Sequence, residues 1–353
     1  MMKKMMKSYL TYENVAQKAQ QYMSEKPVLV LGTGATIPHG LPSMENLTNA
    51  LLKEASLMGK DYIKFRKLLT KTQDLELTLH DVNLTTKAVD NIVVVTWRLV
   101  SEADLALHQK LIRGEVTLPI EPLLSHLLRT ADSKIFVVTP NYDRIAEYAS
   151  NRVNAHVSTG MTSGPLPRFV PGMVNQERTS NIGYDGQVVL LKVHGSLDWF
   201  MNPSGEIISL PFTNNIPLGF RPLVVTPGVS KYREVHKDPF RTIIAAADNV
   251  LRLATGFLCV GYGFNDEHIQ PILVRRVQKD GLPLLVITKS LTNAAKEAFL
   301  KKTCKEFLLI EEHPDGTCIY CPEEPTGLVL KDVNVWRIDE FMKMIMGQKV
   351  RKS

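Results

Sequence analysis

The sequence predicts an α/β fold, a doubly wound and mostly parallel sheet with a helical insertion. Three observations carry this. Short apolar runs recur at Val28–Leu31, Lys134–Thr139, Gln187–Val193, Leu223–Gly228, Gly256–Gly261 and Leu282–Thr288, and such runs suit strands buried on both faces. Each ends in small or polar residues. Helical periodicity fills the intervals between several of them, which is the alternation of a sheet wrapped by helices.

The limits set by length and composition agree. The chain has 353 residues, 44% hydrophobic and 22% charged, enough for one elaborated domain or two. No apolar stretch nears the ~20 residues of a membrane span. The net charge of +6 is dispersed over Lys3-Lys4, Arg275-Arg276, Lys301-Lys302 and the tail from Lys349 to Lys352. These spots lack interleaved aromatics, so solvated surface is expected in place of direct nucleic-acid binding. The Met-Met-Lys-Lys start has no apolar h-region behind it, so a cytoplasmic protein is expected. Four cysteines, Cys259, Cys304, Cys318 and Cys321, are too few and too clustered for a disulfide framework. Cys318-x-x-Cys321 is half a zinc site without a partner pair, and no metal is expected.

Residues 8–25 read as a polar amphipathic helix that docks through Tyr9, Val15 and Tyr22. Val28–Leu31 follows as an inner strand. Gly32 and Gly34 then leave the backbone bare, so a pyrophosphate can approach its N–H groups, the Rossmann-like arrangement for a dinucleotide. The spacing departs from G-x-G-x-x-G, because Ile37 stands at the third glycine and the next is Gly40; a tight turn with no ligand is the alternative. Ser43 is placed to cap a helix running to about Leu57, with Asn46 three residues on.

Residues 60–130 hold almost no glycine and show helical periodicity, predicting three or four helices as an insertion or cap. The strand at Lys134–Thr139 ends in Pro140-Asn-Tyr-Asp143, and a helix follows from Ile145. Polar side chains at the carboxyl end of a parallel strand face the ligand crevice, which puts Asn141 and Asp143 beside the Gly32 loop. Residues 151–186 are rich in Gly, Pro, Ser, Thr and Asn, predicting an irregular flap. His194-Gly195 follows the next strand directly. Ser196–Phe200 and Glu206–Leu210 flank Asn202-Pro-Ser-Gly205 as a hairpin off the sheet. Leu223–Gly228 is expected as the fourth strand, Pro239–Ala254 as a helix, Gly256–Gly261 as the fifth strand and His268–Val277 as a helix. Leu282–Thr288 is the sixth strand. A short helix near 291–300, a final strand at Glu306–Ile310, a turn at Cys318 and a helix at Ile338–Met346 complete the chain.

Four strand ends converge in this reading, and their order resembles the sirtuin family. Gly32-Thr-Gly-Ala-Thr36, three residues, then Gly40-Leu-Pro42 is similar to the sirtuin loop G-A-G-I-S, three residues, G-I-P. Thr139-Pro-Asn-Tyr-Asp143 is similar to T-Q-N-I-D. His194 falls on the family's catalytic histidine, and Gly261-Tyr-Gly-Phe-Asn265 resembles the later strand end that contacts the cofactor's ribose and phosphates. The resemblance covers about residues 25–290. It implies an N-terminal helical extension at 1–25, a sirtuin-like NAD-binding domain at 26–290 with its insertion and flap, and a C-terminal region at 291–353 packed on the same domain. Gly32, Thr33, Gly34, Ala35, Thr36, Pro42, Thr139, Gly261, Tyr262, Gly263, Asn265, Asp266 and Thr288 are the cofactor-contacting positions so implied, with Asn141, His194 and Asp143 catalytic.

The departures point to the chemistry. Sirtuin deacylases continue the first loop as D-F-R, where this chain has Ser43-Met-Glu45. They carry four zinc cysteines after His-Gly, and none stands here between His194 and Leu258. His-Gly-Ser-Leu-Asp198 and Gly-Tyr-Gly-Phe-Asn-Asp266 resemble the zinc-free sirtuin-like proteins of prokaryotic antiphage systems, which hydrolyse NAD⁺ to deplete the infected cell. Cleaving the nicotinamide–ribose bond leaves an oxocarbenium-like centre and needs a held water. An asparagine carbonyl accepts from such a water while its NH₂ anchors ribose or nicotinamide. A histidine can polarise a ribose hydroxyl or take the water's proton, and Asp143 orients the site and offsets charge. NAD⁺ glycohydrolase is therefore expected, acting as an abortive-infection effector with NAD⁺ as substrate and no zinc. A protein deacylase or ADP-ribosyltransferase, and a non-catalytic NAD-binding or scaffolding subunit, are the alternatives. The resemblance also implies a homo-oligomer activated by a HerA-type hexameric ATPase; other such proteins pair with Argonaute-like sensors.

Overall fold

The computed structural model describes residues 11–54, 59–129, 133–176, 183–226, 236–302 and 304–348. The chain folds as two compact units. The first comprises Met1–Ala35, Pro119–Val137 and Asp248–Ser353, and the second comprises Thr36–Leu118 and Val138–Ala247. The main sheet has nine strands in the order β12 (Glu324–Lys331), β11 (Gly316–Cys321), β10 (Phe307–His313), β9 (Leu284–Ile287), β8 (Phe257–Val260), β1 (Val28–Leu31), β2 (Lys134–Thr139), β4 (Gly186–Lys192), β3 (Ala155–Ser158), so the predicted doubly wound α/β sheet is present. No helix among the described residues is long and apolar enough to cross a membrane.

In the first unit, β1 (Val28–Leu31) pairs in parallel with β8 (Phe257–Val260), β8 with β9 (Leu284–Ile287), and β9 with β10 (Phe307–His313). All twelve residues of β1, β8 and β9 are buried, which explains their unbroken apolar sequence. On the other side of β1 lies the start of β2 (Lys134–Thr139). The chain thus leaves β1 in one direction and returns on the other, making β1 and β8 the topological switch point. Helix α1 (Tyr12–Ser24) is capped by Thr11 with Asn14 in a capping box and buries Val15 and Tyr22 as expected. Tyr9 lies outside the described residues.

Two expectations change here. Glu306–Ile310 is not the last strand: β11 (Gly316–Cys321) and β12 (Glu324–Lys331) follow as antiparallel strands, with the predicted Cys318 turn inside β11. Cys318 and Cys321 are buried thiols of that strand. The helix after β8 is α9 (Gln270–Asp280), ended by Gly281 in the left-handed region (φ 71°), and α11 (Ile338–Ile345) closes the unit. Among the described residues, no three His, Cys, Asp or Glu side chains gather into a group able to hold a metal ion.

The second unit begins with α2 (Met44–Lys53), whose Ser43 and Asn46 form the predicted capping box. Helices α3 (Asp61–Thr72), α4 (Leu75–Asp81) and α5 (Thr86–Ile112) follow. Leu47, Leu51, Phe65, Leu69, Leu75, Leu79, Ile92 and Val95 form their shared core. The fourth helix of the predicted insertion, α6 (Ile120–Leu128), belongs to the first unit. The end of β2 enters the second unit, where β4 (Gly186–Lys192) and the short β3 (Ala155–Ser158) pair in parallel. Strand β3 corrects the expectation of a wholly irregular 151–186; Ala155-His-Val-Ser is too short and polar to stand out. Residues 177–182 of that stretch lie outside the described residues.

The hairpin is present as β5 (Gly195–Met201) and β6 (Ile207–Ser209). It is completed by β7 (Arg221–Val224), antiparallel to β5, in a separate three-stranded sheet ordered β6-β5-β7. The expected fourth strand of the main sheet is therefore this one. Gly195 decides the geometry: it sits at φ 87°, and a Cβ there would lie 2.0 Å from Leu223 O. Only glycine lets the chain turn out of β4 and bring β5 this close to β7. Trp97 of α5 packs edge-on against Phe200 with ring centroids 5.7 Å apart, and donates Nε1–H to Leu197 O at 2.7 Å, fixing α5 on the small sheet.

Candidate active site

At the switch point of the first unit, the turns after β1 and β8 touch through backbone alone. A Cβ on Gly32 would lie 2.3 Å from Gly261 O, and one on Gly261 would lie 2.2 Å from Ala35 N. Gly32 N–H donates to Val260 O, Gly34 N–H to Gly261 O and Ala35 N–H to Gly32 O, at 3.0, 3.0 and 3.1 Å. These N–H groups are engaged within the chain, which corrects the expectation that they stand bare. The glycines serve the close approach of two strand ends. Nor does a helix follow at once: two 3₁₀ turns, Thr33–Ala35 and Ile37–His39, separate β1 from α2.

The turn after β8 is anchored by aromatic packing. Tyr262 and Phe264 lie 4.8 Å apart, and Phe264 meets Phe299 at 5.1 Å. Gly263 O accepts the Thr292 hydroxyl at 2.5 Å. Asp266 accepts the N–H groups of His268 and Ile269 at 2.9 and 3.0 Å, a capping role ahead of α9. Asn265 beside it is exposed. Thr288 closes β9, its N–H donating to Ile310 O at 3.0 Å.

The second unit contains Thr36, Thr139, Asn141 and Asp143, all buried, as well as half-buried His194 and Pro42. Thr139 orders the turn: its Oγ1 accepts Asn141 N–H at 3.0 Å and its carbonyl accepts Val193 N–H at 3.0 Å. His194 O accepts Val225 N–H at 2.9 Å. Asn141 is 6% exposed, yet its Oδ1 has no hydrogen-bond partner among the described residues. An unsatisfied buried carbonyl costs about 1–3 kcal/mol, and it persists where a ligand completes it. Asp143 accepts Ile145 N–H at 3.2 Å and the Thr36 hydroxyl. Burial pushes its carboxyl up to about 6, with Asp104 adding to the rise and Lys192 opposing it.

Residues 135–308 match the SIR2-like domain. The SIR2-like match opens in β2 and takes in Asn141, Asp143, His194 and the turn after β8; the Gly32 loop lies outside it. No curated protein matches the chain. Similar solved structures include a Sir2 homologue triple mutant in complex with 2'-O-acetyl ADP ribose, at 13% identity, TM-score 0.46, covering 94% of this chain and 96% of that one. Another comes from a study of the mechanism and regulation of Sir2 enzymes, at 16% identity, TM-score 0.44, covering 81% and 90%. A third is a Sir2 homologue point mutant with ADP ribose, at 14% identity, TM-score 0.46, covering 94% and 96%.

Two buried ionic clusters beside these turns escaped sequence reasoning. Asp104 of α5, fully buried, accepts Arg144 N–H at 2.8 Å, Arg144 Nε–H at 2.9 Å and Tyr148 O–H at 2.6 Å. Lys192 of β4, also fully buried, donates to Asp143 O at 2.6 Å, Tyr142 O at 3.1 Å, Glu147 Oε1 at 2.7 Å and Ser196 Oγ at 2.8 Å. Burial pushes Glu147 up to about 7 against the pull of Lys192. For Lys192 the signal was a charge inside the otherwise apolar run Val188–Val193, which cannot be buried without partners; Asp104, in a polar stretch, carries no such mark.

Proposed function

We propose that the chain hydrolyses the nicotinamide–ribose bond of NAD⁺, releasing nicotinamide and ADP-ribose. The supporting observation is the buried, unsatisfied Oδ1 of Asn141, set one turn from a carboxylate whose affinity for protons reaches toward neutrality. In the reaction the N–C1′ bond breaks, its electron pair leaves with nicotinamide, and a water oxygen bonds C1′ while its proton is lost. Asn141 Oδ1 accepts one hydrogen of that water and aims its lone pair. His194 takes the departing proton. Asp143, ionised above about pH 6, offsets the positive charge that grows at the ribose.

The SIR2-like match supports an NAD-linked chemistry, and the cysteine-free stretch after His194 favours hydrolysis over transfer to a zinc-supported peptide site. The test is incubation with NAD⁺ and chromatography for nicotinamide and ADP-ribose, with and without an acetylated peptide. Peptide-independent release of both products is expected; release only with peptide overturns the hydrolase reading in favour of deacylation. We also propose, from the motif resemblance, that this activity serves antiphage defence in a homo-oligomer that a HerA-type ring ATPase switches on. Light scattering and NAD⁺ turnover with and without that ATPase test it, and a fully active monomer would remove it.

A further inference from the structure

We propose that Lys192 is a positioning residue that holds the Asn141–Asp143 turn in register with His194, an inference that rests on the function proposed above. Lys192 is the last residue of β4, two before His194 in the turn that follows, and its side chain has no solvent exposure. Two of its four acceptors are main-chain carbonyls, those of Tyr142 and Asp143, immediately after Asn141. One ammonium therefore ties the backbone that carries the candidate histidine to the backbone that carries the candidate asparagine. Val193 N–H on Thr139 O and Leu197 N–H on Tyr142 O bracket the same junction, at 3.0 and 3.1 Å.

The remaining acceptors fix the ammonium itself. Glu147 lies on α7 (Ile145–Arg152) and holds it from one side. Ser196 accepts from it on the other and passes its own proton to Asp198 Oδ1, while Asp198 Oδ2 accepts the Ser209 hydroxyl. A buried ion pair that served stability alone is replaced by apolar residues at little cost in many proteins. Here the bonds land on the carbonyls of the reacting turn, which an apolar residue cannot hold. The same ammonium faces Asp143, together with Asp104 from α5, the Thr36 hydroxyl and the Ile145 N–H.

The test compares the full chain with Lys192→Met and Lys192→Arg, reading thermal unfolding, kcat and KM for nicotinamide release, and the titration of the Asp143 carboxyl by ¹³C NMR. Lys192→Met is expected to lower kcat about 100-fold or more with KM held within about threefold, and to move the Asp143 midpoint upward from about 6. Lys192→Arg, which keeps charge and donors, is expected to recover at least about tenfold of that loss. A folded Lys192→Met with wild-type kcat, or a loss confined to KM with Asp143 unmoved, overturns the inference. If Lys192→Met does not fold, Lys192→Arg decides: its displaced donors must shift both kcat and the Asp143 midpoint, and no shift in either overturns it. A wild-type chain that releases no nicotinamide removes the proposed function instead. The Asp143 titration in the Lys192 variants still reads the turn in that case, upward movement supporting the inference and none overturning it.

Discussion

Replacing Asn141 by alanine separates chemistry from stability in one measurement. Most buried asparagines stabilise a fold, because truncation strands their hydrogen-bond partners. Asn141 Oδ1 has no such partner among the described residues, so the truncation removes an unsatisfied acceptor worth about 1–3 kcal/mol of desolvation and gives up a few van der Waals contacts of similar total size. The net change in unfolding free energy is expected within about 1 kcal/mol of zero, and on the stabilising side if the site is dry. The Thr139 Oγ1 bond to residue 141 uses the backbone N–H and survives the change. Activity has no such compensation. Loss of the group that aims the water is expected to reduce nicotinamide release by at least about 100-fold, or ~2.7 kcal/mol in the barrier. Denaturant titration and chromatographic turnover on one preparation give both numbers. A variant that loses several kcal/mol of stability, or one that turns over at the wild-type rate, would refute the assignment of Asn141 Oδ1 to the reacting water.

Gly261→Ala is expected to destabilise the first unit by at least about 2 kcal/mol. It adds the cost of a left-handed conformation to a Cβ placed 2.2 Å from Ala35 N, and a lowered denaturant midpoint checks it. Asp104→Asn leaves the buried Arg144 guanidinium without its counter-charge, for an expected loss of about 3–5 kcal/mol by the same assay. For Asp143, whose folded value is raised from the ordinary 3.8 to about 6, the folded state holds a proton that the unfolded state has released between those limits. Its contribution to stability is complete below about pH 4 and declines as pH rises to about 6, by up to about 3 kcal/mol. Denaturation from pH 4 to 7 should show the wild type losing stability relative to Asp143→Asn. Nicotinamide release should rise over the same range as the carboxylate ionises.

The central strands of the sheet were legible because burial on both faces leaves nothing but apolar residues in them, as in β1, β8 and β9. The same logic misplaced β7. Leu223-Val-Val is as apolar as any central strand, and what sends it to the small sheet is the approach of Gly195 to Leu223 O, a contact between distant positions. Strand β12 escaped because most of it is only half-buried, so no apolar run marks it. Asn141, Asp143 and His194 stood out as polar residues directly after apolar runs. Lys192 and Asp104 did not, since their meaning lies in acceptors and donors that only folding assembles.

The pairing of Leu31 with Val260 has a further consequence for how the chain comes off the ribosome. All of the second unit is encoded between these two residues, so it can be complete while β1 still lacks the neighbour that covers one of its edges. At about 5–20 residues per second, that interval is on the order of 10–50 s. Throughout it, four apolar residues ending in a bare glycine turn present an unpaired strand edge, the kind of surface that recruits other nascent strands. Dependence on holding chaperones during synthesis, and poor recovery from denaturant at high protein concentration, would follow from this one long-range pairing rather than from any weakness of the finished fold.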